Sequence, residues 1–337
     1  MQQIEQPAWI KIGVDISRAE TISEALYSSE LDYEVKKGAL RVVTGHRENG
    51  ELITQQILNR YATYREDTKE YLGGIVSDRY AIVQNADAFE FLQPLVDDGT
   101  VTFEKAGVID GGRLAFLVVK LPALEVAGEK IEQRLMIYVS HDGSSAVTVW
   151  YLPYRLVCMN QLQASINDSD FKVSIRHSKN AKAKLKALSK TIELIESAGE
   201  CMRASILKMI QFEIPNTTKF LGNLTNALFL TKEECEKMAQ GGLYHKVLST
   251  RKFNIINDFQ NFYYKGVGQD AETCQSNAWR FYNAVTGYFQ HVKTYSNDEQ
   301  KFNAFFDGQA NKIMQEALAY CLNPVTVPTL NSYLKTK

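Results

Sequence analysis

The sequence predicts an α+β fold, with an antiparallel β-rich N-terminal half packed on a long helix and a mainly helical C-terminal region after it. Three observations carry this reading. Up to about residue 155, short β-rich runs, one of them alternating apolar and polar residues through Gly74 to Ala81, are bounded by turn formers such as Gly, Asn and Asp. From Leu185 to Met209, apolar residues recur in steps of three and four, with one polar gap at Gly199. Beyond Pro215, aromatic and aliphatic residues keep helical spacing.

Taken in order, Thr21-Ile22-Ser23-Glu24 has the capping-box pattern ahead of a short helix through Tyr27. Tyr33 to Val43 reads as a hairpin turned at Lys37-Gly38, and Asn49-Gly50 marks a second tight turn before Ile53. Tyr61 to Tyr64 adds a β-like segment. The stretch Tyr71 to Pro122 organises this half: a strand through Gly74 to Ala81, an amphipathic segment after Asn85, and two β-rich runs, Val101 to Val108 and Arg113 to Leu121, meeting at Gly111-Gly112. Gln133 to Ser140 and Ala146 to Leu152 form another hairpin around His141-Asp142-Gly143-Ser144. Phe171 to Arg176 is one more strand, and Ser178 is placed to cap the long helix bearing Leu185, Leu188, Ile192, Ile195, Met202, Ile206 and Met209. Thr231 to Glu234 opens a further helix that Gly241-Gly242 ends. Trp279, Tyr282, Val285 and Phe289 share one later helical face, and Phe302, Phe305, Met314, Leu318 and Cys321 another. The divisions that follow are a β-rich region, 1–160, a helical region, 161–325, and a loose tail, 326–337. No linker composition separates the first two, so one continuous unit and two domains both fit.

The 45% hydrophobic content of the 337 residues suffices for a packed core. The five cysteines are odd in number, scattered and without a CxxC pair, which points to reduced thiols and a cytoplasmic location. No run approaches the roughly 18 apolar residues of a membrane span. Charge is divided unevenly: residues 1 to 150 hold 15 Lys and Arg against 23 Asp and Glu, whereas the remainder holds 23 against 16. An acidic front and a basic back suggest a polyanionic partner, or head-to-tail self-association.

There is no P-loop, GxGxxG, HExxH, GxSxG or EF-hand pattern, so no cofactor, metal or catalytic residue is expected. The strongest feature is a basic run comprising Lys172, Arg176, Lys179, Lys182, Lys184, Lys186 and Lys190, with no acid before Glu193. Such a run reads either as a solvated helix face or as an anion site; the missing acids remove the i to i+4 pairing that a solvated face usually has. His177, beside this run, would line the groove. Tyr263, Tyr264 and Arg280 are candidates for stacking on bases, against the core role that their neighbours' helical spacing implies. For His177 and His291, structural roles outweigh ligation, because no carboxylate or cysteine partner is near in sequence. Cys158 reads as a buried small hydrophobe rather than an activated thiolate.

Five blocks carry a resemblance: VSDRYAIVQN (Val76 to Asn85), GGR with its strand (Gly111 to Lys120), RLVCMNQL (Arg155 to Leu162), IRHSKNA (Ile175 to Ala181) and NAWRFYNAVTGYFQH (Asn277 to His291). In this order they resemble the phage/plasmid-like proteins grouped as domain of unknown function 932. The resemblance implies a gene of phages, plasmids and integrated elements, and it carries over no catalytic residue. Its matching positions, Tyr80, Asn85, Arg113, Arg155, Asn160, His177, Asn283 and His291, are candidates for shared fold or shared site. In outline the layout is also similar to single-strand annealing recombinases, which assemble into rings or filaments. The expected function is nucleic-acid binding, holding or annealing single-stranded DNA in mobile-element recombination or replication, as a homo-oligomer in which acidic front meets basic back. The alternative is a counter-defence protein that acts on a host protein through its acidic front.

Overall fold

A computed structural model describes residues 5–162, 172–188 and 192–323. The chain opens with α1 (Ala8–Ile12), a two-residue strand β1 (Val14–Asp15) and α2 (Ile22–Ser28). Thr21 caps α2 by accepting from the Glu24 amide, while the Glu24 carboxylate turns back to the Glu20 amide. Strands β2 (Val35–His46), β3 (Leu52–Arg65) and β4 (Tyr71–Ser77) then form an antiparallel sheet. Its long hairpin reverses near Asn49-Gly50, where Gly50 adopts φ of 84°. The expected turn at Lys37-Gly38 is corrected: both residues lie inside β2, opposite Thr63 and Ala62. Gly38 is there because the Tyr64 ring lies against its backbone, where a side chain would crowd it.

After α3 (Asn85–Phe89), a 3-10 turn (Glu90–Leu92) and α4 (Gln93–Asp97), the main sheet begins. It comprises β5 (Thr102–Ile109), β6 (Leu114–Val126), β7 (Glu129–Ser140), β8 (Val147–Arg155), β9 (Asn160–Gln161) and β10 (Lys172–Ile175). With β1 these are seven described strands in the order β1-β5-β6-β7-β8-β10, with β9 attached to β8. The rest is helical: α5 (Ala181–Ala187), α6 (Ile192–Gln211), α7 (Thr217–Phe229), α8 (Lys232–Ala239), α9 (Tyr244–Val247), α10 (Thr250–Lys265), α11 (Ala278–Gly287) continued by a π turn (Tyr288–Val292), α12 (Asp298–Phe306) and α13 (Gln309–Leu322). The capping box at Thr231 is complete, with Glu234 bonding back to the Thr231 amide.

The main sheet is covered on both faces, which is why its strands read as nearly unbroken apolar runs. Ala115, Leu117, Val119, Leu135, Ile137, Val139 and Tyr151 enter the large core shared with the C-terminal helices. Their strand neighbours Phe116, Val118, Met136, Tyr138, Trp150 and Tyr154 form a second core with Trp9 of α1 and with Phe302 and Phe306 of α12. The large core draws on residues from Ile16 to Leu322, so the β-rich and helical regions share one interior.

The Tyr71 to Pro122 stretch is the platform for the basic-start helix. Helix α5 packs on α3, on the 3-10 turn and on β10, and α6 packs on β6. Leu185, Met202, Ile206 and Met209 are buried as their spacing predicts. Two details differ. The residue preceding α5 is Asn180 rather than Ser178, and it makes no side-chain cap bond. The single long helix is described as α5 and α6; Lys190 and the tail 326–337 lie outside the described residues, as does Phe171.

Candidate nucleic-acid interface

The basic run sits at the edge of the main sheet. Lys172 is on β10, with its ammonium 5.7 Å from the centre of the Trp150 ring. Arg176 and Lys179 occupy the connection to α5, and Lys182, Lys184 and Lys186 ride on the helix, whose Ala181 and Leu185 are buried. The run lacks acids in sequence, yet the fold supplies them from α3 and the turn after it. Lys182 Nζ lies 2.5 Å from Asp87 Oδ1, and Lys186 Nζ 3.8 Å from Glu90 Oε2. The inference that missing acids leave the run unpaired therefore fails at these two positions, because helix packing brings distant carboxylates to the lysines. Arg176, Lys179 and Lys184 are exposed and make no ion pair among the described residues.

Beside these cations the Tyr80 and His177 rings stack, 4.7 Å apart and 19° from parallel. The stack joins two sequence blocks, VSDRYAIVQN and IRHSKNA, and sets the exposed Arg79 and Arg176 each one residue from it. The Tyr80 hydroxyl donates to Ser140 O at 3.2 Å, and Lys37 Nζ donates to Tyr80 O at 2.7 Å. Close approach is essential here: a Cβ on Gly74 would sit 2.5 Å from the Asp142 Cα, so only glycine lets β4 meet the 141–144 turn. His177 faces the Ala81 backbone, but neither ring nitrogen makes a well-formed hydrogen bond, although both are shielded from solvent. Burial lowers its pKa below the usual imidazole value.

Around the stack lies polar machinery whose sequence signature is no more than a turn. Asp142 accepts from the Ser140 hydroxyl and from the Ser144 amide, and Arg113 reaches it at 3.4 Å while also pairing with Asp110. Arg113, Ser140, Asp142 and Ser144 line a cleft of about 330 Å³ whose apolar side is Ile109, Leu114, Tyr138, Phe302 and Phe306. His141 is buried behind them. Asn85 Nδ2 donates to Leu31 O at 2.9 Å, so its Oδ1 faces His141 Nε2 at 2.8 Å as acceptor, and His141 is the neutral Nε2–H tautomer. Burial, with His177 nearby, pushes its pKa down to about 3. The signal for this region was the His-Asp-Gly-Ser turn, where a histidine and an aspartate precede a glycine at φ of 76°.

The aromatic candidates divide. Tyr263 is buried and stacked on Phe281 at 4.6 Å, so it is a core residue and cannot receive a base. Arg280 lies over the Tyr263 ring at 4.7 Å and donates to Tyr263 O, which makes it a packing partner. Tyr264 is exposed. None of the three joins the basic run: α10 packs on α7, α9 and α11, whereas α5 packs on α3 and β10.

The remaining motif residues form a second, closed joint between sheet and helices. Arg155 Nε donates to Glu129 Oε2 at 2.6 Å and Nη1 to Gly268 O at 2.9 Å, with Trp279 Nε1 and the Thr273 hydroxyl also on the Glu129 carboxylate. Burial opposes ionisation of Glu129, yet the Arg155 guanidinium holds its carboxyl below the usual range. Next to it His291 Nε2–H donates to Cys158 O at 2.8 Å and Asn160 Oδ1 at 2.9 Å, while Nδ1 accepts from the Glu5 amide. Asn160 Nδ2 reaches Asn283 O at 3.3 Å. Asn85, Asn160 and His291 are thus bonded within the fold, as the structural reading of His291 expects. Burial pushes the His291 pKa down to about 4 and the Cys158 thiol up to about 11, so the histidine is neutral and the thiol protonated near neutral pH.

Fold and site together define an α+β protein whose sheet and helices are keyed by side chains from separated sequence blocks. The family model described as Domain of unknown function (DUF932) matches residues 73–307, and the chain belongs to that family. No curated protein and no solved structure gives a significant match. Among the described residues no helix is long and apolar enough to cross a membrane, and no group of three or more His, Cys, Asp or Glu is placed to hold a metal ion.

Proposed function

We propose that the protein binds nucleic acid, holding single-stranded DNA in the recombination or replication of a mobile genetic element. The binding surface is the junction of β10 and α5 beside the Tyr80–His177 stack. One observation carries the reading: Arg79, Arg176 and Lys179 flank an aromatic stack and are left without carboxylate partners among the described residues. Unpaired cations release counterions on meeting phosphates, and aromatic rings beside them accept bases without sequence preference. Lys172 and Lys184 extend the track, whereas Lys182 and Lys186 would have to exchange Asp87 and Glu90 for phosphate.

The test is fluorescence anisotropy of a labelled single-stranded oligonucleotide as salt rises from about 50 to 200 mM. Wild-type affinity should fall steeply with salt. Replacing Arg176, Lys179 and Lys184 together by Ala should weaken binding and flatten the log–log slope by about 0.7 for each phosphate that is no longer neutralised. Absence of wild-type binding to single or double strands at low salt refutes the reading. A nuclease-resistant complex with a host protein, with no oligonucleotide binding, would favour a counter-defence role.

A further inference from the structure

The cleft of about 330 Å³ opens on the face of the main sheet that carries the smaller core, between the end of β7, the 141–144 turn and the corner from α12 to α13. Helix α12 supplies both its wall and part of its rim, through two successive i to i+4 pairs. Phe302 and Phe306 stack at 3.9 Å, 14° from parallel, and the Tyr138 ring meets Phe306 edge-on at 5.5 Å. Asn303 and Asp307 follow them in the chain, line the same cleft and are exposed. The wall is apolar, yet polar groups beside it are unused. Tyr138 is only 6% exposed, and its hydroxyl makes no hydrogen bond among the described residues. A tyrosine hydroxyl in so buried a residue ordinarily has a partner. The side chains of Asn303 and Asp307 likewise bond to nothing among the described residues. The opposite rim is already engaged: Arg113 pairs with Asp110 and Asp142, and Asp142 also accepts from Ser140 and Ser144.

We propose that this cleft is a nucleobase site, and that guanine is the base it takes. Small-ligand pockets begin near ~300 Å³, so the cleft holds one ring system rather than a peptide or a lipid chain. Charge excludes an anion: the charged lining is Arg113, Asp142 and Asp307, one base against two acids, and Arg113 is already doubly paired. A free ammonium or guanidinium is disfavoured too, because it has no acceptor to offer the Tyr138 hydroxyl and Arg113 repels it. A neutral planar ring meets every demand. It covers the aromatic wall, donates to the Asp307 carboxylate and accepts from Tyr138 or Asn303. Among the DNA bases guanine alone carries N–H donors on two neighbouring nitrogens, the arrangement a carboxylate accepts in parallel, and it has O6 and N7 as acceptors. The proposed nucleic-acid binding enters only as the source of the base. Ser140 lines the cleft while its carbonyl accepts from Tyr80 of the stack, so cleft and stack flank one turn, and a base splayed out of a bound strand has this cleft beside it.

Equilibrium dialysis of the full chain against labelled 2′-deoxyguanosine tests this with no phosphate present. A single saturable site per chain is expected, with Kd on the order of 0.1 mM, which is what the binding efficiency of drug-sized ligands gives a nucleoside. Deoxyadenosine and thymidine should bind about tenfold more weakly, having lost a hydrogen bond to the carboxylate, and deoxyguanosine 5′-monophosphate should bind no tighter than the nucleoside. Asp307→Asn and Tyr138→Phe should each weaken deoxyguanosine by about tenfold with unchanged urea midpoints, since Asp307 is exposed and the phenylalanine keeps the ring. No saturable binding at about 1 mM, equal binding of all the nucleosides, displacement by methylguanidine at the same concentration, or wild-type affinity in both variants overturns the proposal. Failure here and failure of the basic track are separable, because an oligothymidylate reports the track alone. One guanine placed within that oligonucleotide should tighten binding to wild type and not to Asp307→Asn when a strand supplies the base. Deoxyguanosine binding without that tightening assigns the cleft to the free nucleoside.

Discussion

The Arg155 joint and the Tyr80–His177 stack both tie a strand end to a later segment, yet they treat their polar atoms in opposite ways. At Arg155 the guanidinium, the Glu129 carboxylate and the His291 imidazole are bonded, while Asn283 Oδ1, and Gln161 Nε2 and Arg280 Nε in the same sequence blocks, are buried without a partner. At the stack both His177 nitrogens go unpaired while exposed arginines stand on either side. Buried polar groups in a joint that serves only folding find partners. At the stack, unlike at Arg155, exposed cations stand beside the shielded nitrogens, and that difference is the feature on which the proposed binding surface rests.

The largest expected effect breaks the closed joint. Glu129→Gln or Arg155→Leu leaves one member of a buried pair uncompensated and should cost roughly 3–5 kcal/mol in urea denaturation. Arg113→Leu provides the contrast: its side chain is 41% exposed, so removing its pairing with Asp110 and Asp142 should cost no more than about 1 kcal/mol. Equal losses at the two arginines would erase the distinction between the joints.

The second effect is pH dependence. His291 and His141 are held neutral in the fold, with pKa values of about 4 and about 3, against about 6.5 when unfolded. Below pH 6.5 the unfolded chain takes up protons that the folded chain refuses, so stability is full above that pH and declines as pH falls towards 4. The decline should reach roughly a few kcal/mol, read as a lowered urea midpoint at pH 5 relative to pH 7.5. His291→Gln keeps a donor towards Cys158 O and Asn160 and should flatten the slope. An unchanged slope would assign the effect to other groups.

Legibility in the sequence follows the range of the interactions involved. Hairpins at Gly111-Gly112 and at 141–144, the cap at Thr231 and the buried face of Leu185 to Met209 rest on local chemistry, and all are where their spacing puts them. The Lys37-Gly38 turn misled because a glycine under the Tyr64 ring looks, in sequence, like a glycine in a turn. At the candidate site the basic run was visible, but its neutralisation by Asp87 and Glu90 depends on how α5 packs across a separation of 95 residues at Lys182. The stacking of Tyr80 on His177, and the demotion of Tyr263 to the core, likewise depend on tertiary packing that no local pattern encodes.

The smallest effect on stability is the sharpest probe of the contrast. His177→Phe keeps a ring on Tyr80 while deleting two nitrogens that have no partner. Removing an unsatisfied polar group from a shielded position is neutral or stabilising, by up to about 1 kcal/mol. If those nitrogens serve only the fold, nothing else should change. If they face phosphate or base, the same variant loses affinity for single-stranded DNA while its urea midpoint holds or rises, the trade-off expected where a site keeps polar groups unpaired for its ligand. A variant that loses stability, or binds as wild type does, removes His177 from the interface and leaves binding to Arg79, Arg176 and Lys179 alone.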